Sequence, residues 1–201
     1  MSLKHLNDNI LCAVDTETTG LDPRKHDLNQ VAVIPLNDFY RPRSDIMPFT
    51  MKLKPRNIKT AQAEAIRTSR ADLTNLMLHG VDYYDAADLF DRWYNEILKV
   101  SPNKRIMPLA HNWPFDRDFL REWLTPEGFD LYFSGHYRDS MVAAMYLNDR
   151  AEHHTEVYPN PKMKLTYLCT HHGINLDNAH DAIADAVAAA ELYKRFLDVI
   201  C

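Results

Sequence analysis

The chain has 201 residues, 46% of them hydrophobic and 25% charged, with a formal net charge of −5 at pH 7. That length and apolar share suit one folded domain over residues 1–201 and exclude a disordered chain, while the negative charge excludes a protein that grips nucleic acid by phosphate neutralisation alone. Cys12, Cys169 and Cys201 lack disulfide spacing, the opening MSLKHLNDN has no apolar signal core, and no segment approaches the ~20 apolar residues of a membrane span, so a soluble cytoplasmic protein in a reducing interior is expected.

In chain order, ILCAV (10–14) and QVAVIPL (30–36) read as short strands, the first almost wholly apolar and therefore central in its sheet. PFTMKLK (48–54) alternates and stops at Pro55, as a third strand would, and short connections allow the three to form an antiparallel meander. Arg41, Arg43, Lys52, Lys54, Arg56 and Lys59 make this region locally basic, which suits either a rim facing phosphates or a sheet edge protected by charge.

From Thr60 the pattern turns helical. Ser69 with Asp72 resembles a capping box before LTNLML, Gly80 closes that segment, and Ala86, Leu89, Phe90, Trp93, Ile97 and Leu98 keep helical spacing to residue 99. RIMPLA (105–110) is a fourth strand leading into a helix that starts near Pro114. FDLYF (129–133) reads as a fifth strand, DSMVAAMYLN (139–148) as a helix, and residues 150–163 as an exposed loop. Two helices close the chain, LTYLCTHH stopped by Gly173 and a long one from about Asp181 to Val199.

Three placements of acid stand out. Asp15 and Glu17 are two apart at the end of the first strand, so both leave the same face of the sheet, where adjacent anions repel unless a cation sits between them. Asp116 falls in the first turn of the helix after the fourth strand, an ordinary place for an acid beside a helix dipole. Asp185 is the one charge in AIADAVAAA (182–190), on a stripe with Ala189, Leu192 and Phe196, and a carboxylate on a buried stripe needs a cation or dense hydrogen bonding. His180 precedes it by five residues, about 140° away on a continuous helix, so both reach one site only if His180 sits before the first turn with Asp181 as cap.

Taken together, DTETTG with Asp15 and Glu17, HNWPFD with Asp116, and HDAIAD with His180 and Asp185 resemble the DnaQ-like, or DEDDh, 3′ to 5′ exonucleases in order and in strand or helix context, from residue 10 to about 197. The sister pattern Y-x3-D is disfavoured because Asp181 stands four before Asp185. The resemblance implies an α/β ribonuclease H-like fold, a five-stranded mixed sheet flanked by helices.

It also implies a role for each residue. Asp15, Glu17, Asp116 and Asp185 would bind two divalent cations, Mg²⁺ or Mn²⁺, and His180 would be the general base in a two-metal hydrolysis that releases nucleoside 5′-monophosphates. Thr18, Thr19, Gly20 and Leu21 would hold the terminal nucleotide, with Asn112 and Phe115 beside it. Against these stand plainer readings: Gly20 permitting a positive φ, Phe115 in the core, Asn112 capping a helix.

The expected partner is nucleic acid, single-stranded DNA 3′ ends before RNA, with no membrane association. The alternatives are an exoribonuclease or oligoribonucleotide trimmer and a catalytically silent nucleic-acid-binding or polymerase-accessory subunit. A zinc protein, suggested by EHHTE and CTHH, lacks the ligand spacing of zinc sites.

Overall fold

The computed structural model describes residues 6–99 and 103–199; Cys201 and the first five residues lie outside them. β1 (Ile10–Thr18), β2 (Leu28–Pro35), β3 (Phe49–Lys52), β4 (Ile106–Ala110) and β5 (Arg138–Asp139) form one sheet in the order β3-β2-β1-β4-β5. β1 to β3 are an antiparallel meander, while β4 runs parallel to β1 and β5 parallel to β4. The helices are α1 (Ala63–Ser69), α2 (Leu73–His79), α3 (Tyr83–Arg92, continuing as a π-helical turn over Trp93–Leu98), α4 (Trp113–Leu124), α5 (Pro126–Tyr132), α6 (Ser140–His153), α7 (Leu165–His171) and α8 (Ala182–Val199).

Both faces of the sheet are covered, as the apolar runs of β1 and β2 require. Leu11 and Ala13 of β1, with Ala32 and Ile34 of β2, pack under α6, α7 and α8. Cys12 and Val14, with Val31, Val33 and Phe49, pack under α3, α4 and α5 in a core rich in aromatic rings, including Phe90, Trp93, Trp123 and Phe133. Alanines 182, 186, 188, 189 and 190 are all buried, so α8 lies close on the sheet. The alternation assigns the end of β1: odd positions turn towards α8, even positions towards α4.

Three expectations are corrected. Residues 129–133 are not a strand: Thr125 accepts from the Gly128 amide through Oγ1, Pro126 occupies the first turn, and Phe129 stacks on Phe133 at 4.8 Å, which is helical spacing. Phe133 alone bridges to Ile106, and the fifth strand is Arg138–Asp139. Ser69 ends α1 and caps nothing; Asp72 is itself the N-cap of α2, accepting from the Asn75 amide. The loop after residue 150 begins only past His153, because α6 runs on with Ala151 buried beneath it.

Candidate active site

Asp15 and Glu17 project from the α8 face of β1, as their spacing demands. The Glu17 carboxylate, the His180 ring and the Asp185 carboxylate converge so that one ligand atom from each lies within 4.8 Å of the others, the one such His, Cys, Asp and Glu cluster among the described residues. Asp185 reaches it from the first turn of α8, only 8% exposed, on the buried stripe with Ala189, Leu192 and Phe196.

His180 precedes the helix at a φ of 71°, and its backbone N–H donates to Asp185 Oδ2 at 3.2 Å. Asp181 is the cap, its Oδ1 accepting from the amides of Ile183 and Ala184. Its Oδ2 accepts from Gln30 Nε2 at 3.2 Å, and Gln30 lies opposite Glu17 in the β1–β2 ladder. The start of α8 is thereby tied to the strand beside the acids.

Asp116 arrives differently. In the first turn of α4, 3% exposed, it accepts from Thr16 Oγ1 at 2.7 Å, and Thr16 lies between the two strand acids on the opposite face. Asp139 at the end of β5 accepts from the amides of Asn112, Trp113, Met141 and Val142, so a single carboxylate caps α4 and α6 together.

This assembly strains the ionised acids. Burial, followed by the charges of Asp116, Asp185 and Glu17, holds the Asp15 carboxyl well above the usual range. Burial and then the Asp185 and Asp116 charges push Glu17 up to about 8. Burial lifts Asp116 to about 7 against the opposing Thr16 hydrogen bonds, and Asp185 to about 6 against the His180 amide. The His180 ring is shifted down, by burial and then by the charges of Lys164 and Arg70.

The donor set fits divalent cations. Oδ1 of Asp185 is buried with no hydrogen-bond partner among the described residues, which is costly unless something else meets it. Burial first, and neighbouring anions second, raise all four carboxylates, a cost that a bound cation would offset, and oxygen donors select hard cations. His153, His154, Cys169, His171 and His172 form no comparable cluster among the described residues; His171 and His172 instead contact the Pro159 carbonyl and Asn160 Oδ1.

The turn after β1 is tightly built. Thr18 Oγ1 donates to the Gly20 carbonyl, Thr19 Oγ1 accepts from the Asp27 amide, and both threonines are buried. Gly20 serves close approach, not a positive φ: a Cβ there would meet the His26 ring at 2.4 Å. Leu21 stands 73% exposed beyond the turn. Asn112, at a φ of 69°, heads α4 without a side-chain cap bond and lines a cavity with Asp15, whereas Phe115 leans on Phe119 at 5.1 Å.

The structure adds residues to which the sequence motifs gave no role: Thr16, which grips Asp116; Asp139, which caps two helices; and His111 with Lys164, which line the Asp15 and Asp185 cavity. Their meaning depends on partners 20 to 100 positions away.

A sequence profile of the RNase_T family, described as exonuclease, matches residues 12–193. No curated protein matches the chain significantly. Among solved structures, the zinc-bound form of Escherichia coli exonuclease I with single-stranded DNA shares the fold at a TM-score of 0.70 and 20% identity, over 96% of this chain and 43% of that one. Exonuclease I from Methylocaldum szegediense gives a TM-score of 0.70 and 20% identity over 94% of this chain and 40% of its own. Cell-death related nuclease 4 gives 0.69 and 14% over 95% and 64%. The chain thus spans about two fifths of the exonuclease I chains that it matches.

Proposed function

The chain belongs to the exonuclease family, and from that membership we propose that it hydrolyses nucleic acid from the 3′ end, with single-stranded DNA as substrate and nucleoside 5′-monophosphates as products. The observation that carries the reading is the convergence of Glu17, His180 and Asp185 at the end of β1, beside Asp15 and within the field of Asp116. Exonuclease I structures with single-stranded DNA support the choice of substrate.

Asp15, Glu17, Asp116 and Asp185 would hold two divalent cations, Mg²⁺ or Mn²⁺, which when bound supply positive charge to a phosphodiester and acidify water. The protein's own part is positional. Thr16 fixes the Asp116 carboxylate, and the His180 amide fixes that of Asp185. The downward shift of His180 leaves its imidazole neutral near pH 7, able to take a proton from an attacking water as general base. Leu21, exposed at the mouth of the turn, offers an apolar surface to a terminal base, and the buried Thr18 and Thr19 hold that turn in place.

The test is a time course on matched 5′-labelled single-stranded DNA and RNA with Mg²⁺ or Mn²⁺, with chelator and Asp15→Ala controls. A shortening ladder absent from both controls is expected, faster on DNA. A faster RNA ladder would reassign the substrate, and no ladder on either strand would leave a nucleic-acid-binding module.

A further inference from the structure

On the α8 side of the site, a cavity of about 400 Å³ opens beside Asp15 and Asp185, lined also by Asn112, Met141 and Lys164. A phosphodiester approaching these acids meets anionic walls, and of the residues lining this cavity Lys164 is the one that brings a full positive charge. Among the described residues no carboxylate oxygen lies within 4 Å of its ammonium, unlike Lys194 and Lys25, which are paired with aspartates. Its field nevertheless reaches the site, opposing the upward shift of Asp185 and depressing His180.

The backbone that carries this lysine is held in place. His111, directly after β4, donates from Nε2 to the Met163 carbonyl at 2.7 Å and contacts Ser140 Oγ through Nδ1 at 2.8 Å. Bonding of Nε2–H to a carbonyl fixes the neutral ring with Nδ1 as acceptor, and burial, which shifts His111 down, favours that form. The clasp joins the end of β4 and the start of α6 to the residue before Lys164, which is itself the N-cap residue of α7. The loop after α6 thus ends in a fixed anchor, with a cation one residue beyond it that has no carboxylate partner among the described residues.

We propose that Lys164 is a substrate-binding residue of this chain, its ammonium contacting a phosphate oxygen of a strand whose 3′ end lies at Asp15 and Asp185, and that His111 is the positioning residue that holds it there. This rests on the reading of the site as nucleic-acid processing and assigns to it a contact outside the carboxylate and histidine motifs.

Lys164→Ala and Lys164→Arg are compared with the wild-type chain in two assays. Anisotropy of a 5′-labelled oligonucleotide with Ca²⁺, across a salt series, needs no hydrolysis. Lys164→Ala is expected to flatten the slope of log K against log salt by about 0.7, the change for one lost phosphate contact on a single strand, and Lys164→Arg to retain it. In hydrolysis with Mn²⁺, KM rises about tenfold and kcat changes much less, uniformly across base sequences. A neutral methylphosphonate at the contacted phosphate abolishes the difference between wild type and Lys164→Ala.

His111→Asn is expected to raise KM in the same direction while the ammonium is still present. A Lys164→Ala variant with the wild-type salt slope and KM would overturn this assignment alone. Failure of the wild-type chain to bind any oligonucleotide would overturn both the assignment and the function beneath it.

Discussion

The His180 amide donates to Asp185 Oδ2 at 3.2 Å, so a loop residue with a φ of 71° and the first-turn acid of α8 form one unit. The other Asp185 oxygen, Oδ1, is buried and has no hydrogen-bond partner among the described residues. The bond places the histidine ring beside Glu17 although sequence spacing alone puts it 140° away on the helix.

Asp185→Asn keeps the shape and removes the charge. Hydrolysis should fall at least a thousandfold, while the metal-free protein should gain stability, by about 2–4 °C in Tm, the shift that ~1 kcal/mol gives a chain of this size. Scanning calorimetry at pH 8 in chelator checks the second point; an unchanged or lower Tm would mean that the acid is already compensated.

His180→Ala should reduce kcat about 10²–10⁴-fold, the usual worth of a general base. Because a ring nitrogen lies within 4.8 Å of the Glu17 and Asp185 carboxylates, close enough to share an ion with them, the variant also separates two roles. Calorimetric titration with Mn²⁺ is expected to show affinity within a few-fold of wild type. A loss of affinity as large as the loss of rate would place the imidazole among the metal ligands.

Without metal, stability should fall as pH rises. Glu17, Asp116 and Asp185 titrate near 8, 7 and 6 in the folded chain and near 4 when unfolded. Between those limits the folded state holds more protons, so their unfavourable contribution is absent below about pH 4 and complete above about pH 8, with a slope of ~1.4 kcal/mol per pH unit for each excess proton. Urea titrations in chelator at pH 5, 6, 7 and 8 measure this, with Mn²⁺ expected to restore the loss at pH 8. A rise in stability across the window would contradict the assignment.

Gly20→Ala should destabilise by ~1–3 kcal/mol, the usual cost of overpacking, because its Cβ would meet the buried His26 ring at 2.4 Å. Combining it with His26→Ala should recover part of that loss, and chemical denaturation of the four forms gives the coupling. Additive effects would show that the turn yields elsewhere.

Much of the architecture was legible because it rests on short-range periodicity. The alternation in β1 put Asp15 and Glu17 on one face, the apolar stripe of α8 marked Asp185 as buried, and Pro114 marked the start of α4. Residues 129–133 misled because a short run of four apolar residues around Asp130 suits a strand or a buried helical turn equally well; Thr125, Pro126 and the packing of Phe129 on Phe133 decided for the helix. Ser69 misled because a capping pattern recurs wherever one helix ends close before the next begins.

What the amino-acid order determined by itself was the set of acids and the direction in which each leaves its element, since pleat and helix pitch follow from local geometry. What only the tertiary structure decided was their company. Thr16 binds Asp116 across 100 positions, Asp139 caps two helices, Gln30 ties Asp181 to the sheet, and His111 clasps the residue before Lys164. Those partners are chosen by how strands and helices stack, and hydrogen bonds between distant side chains leave no period in the chain from which to read them.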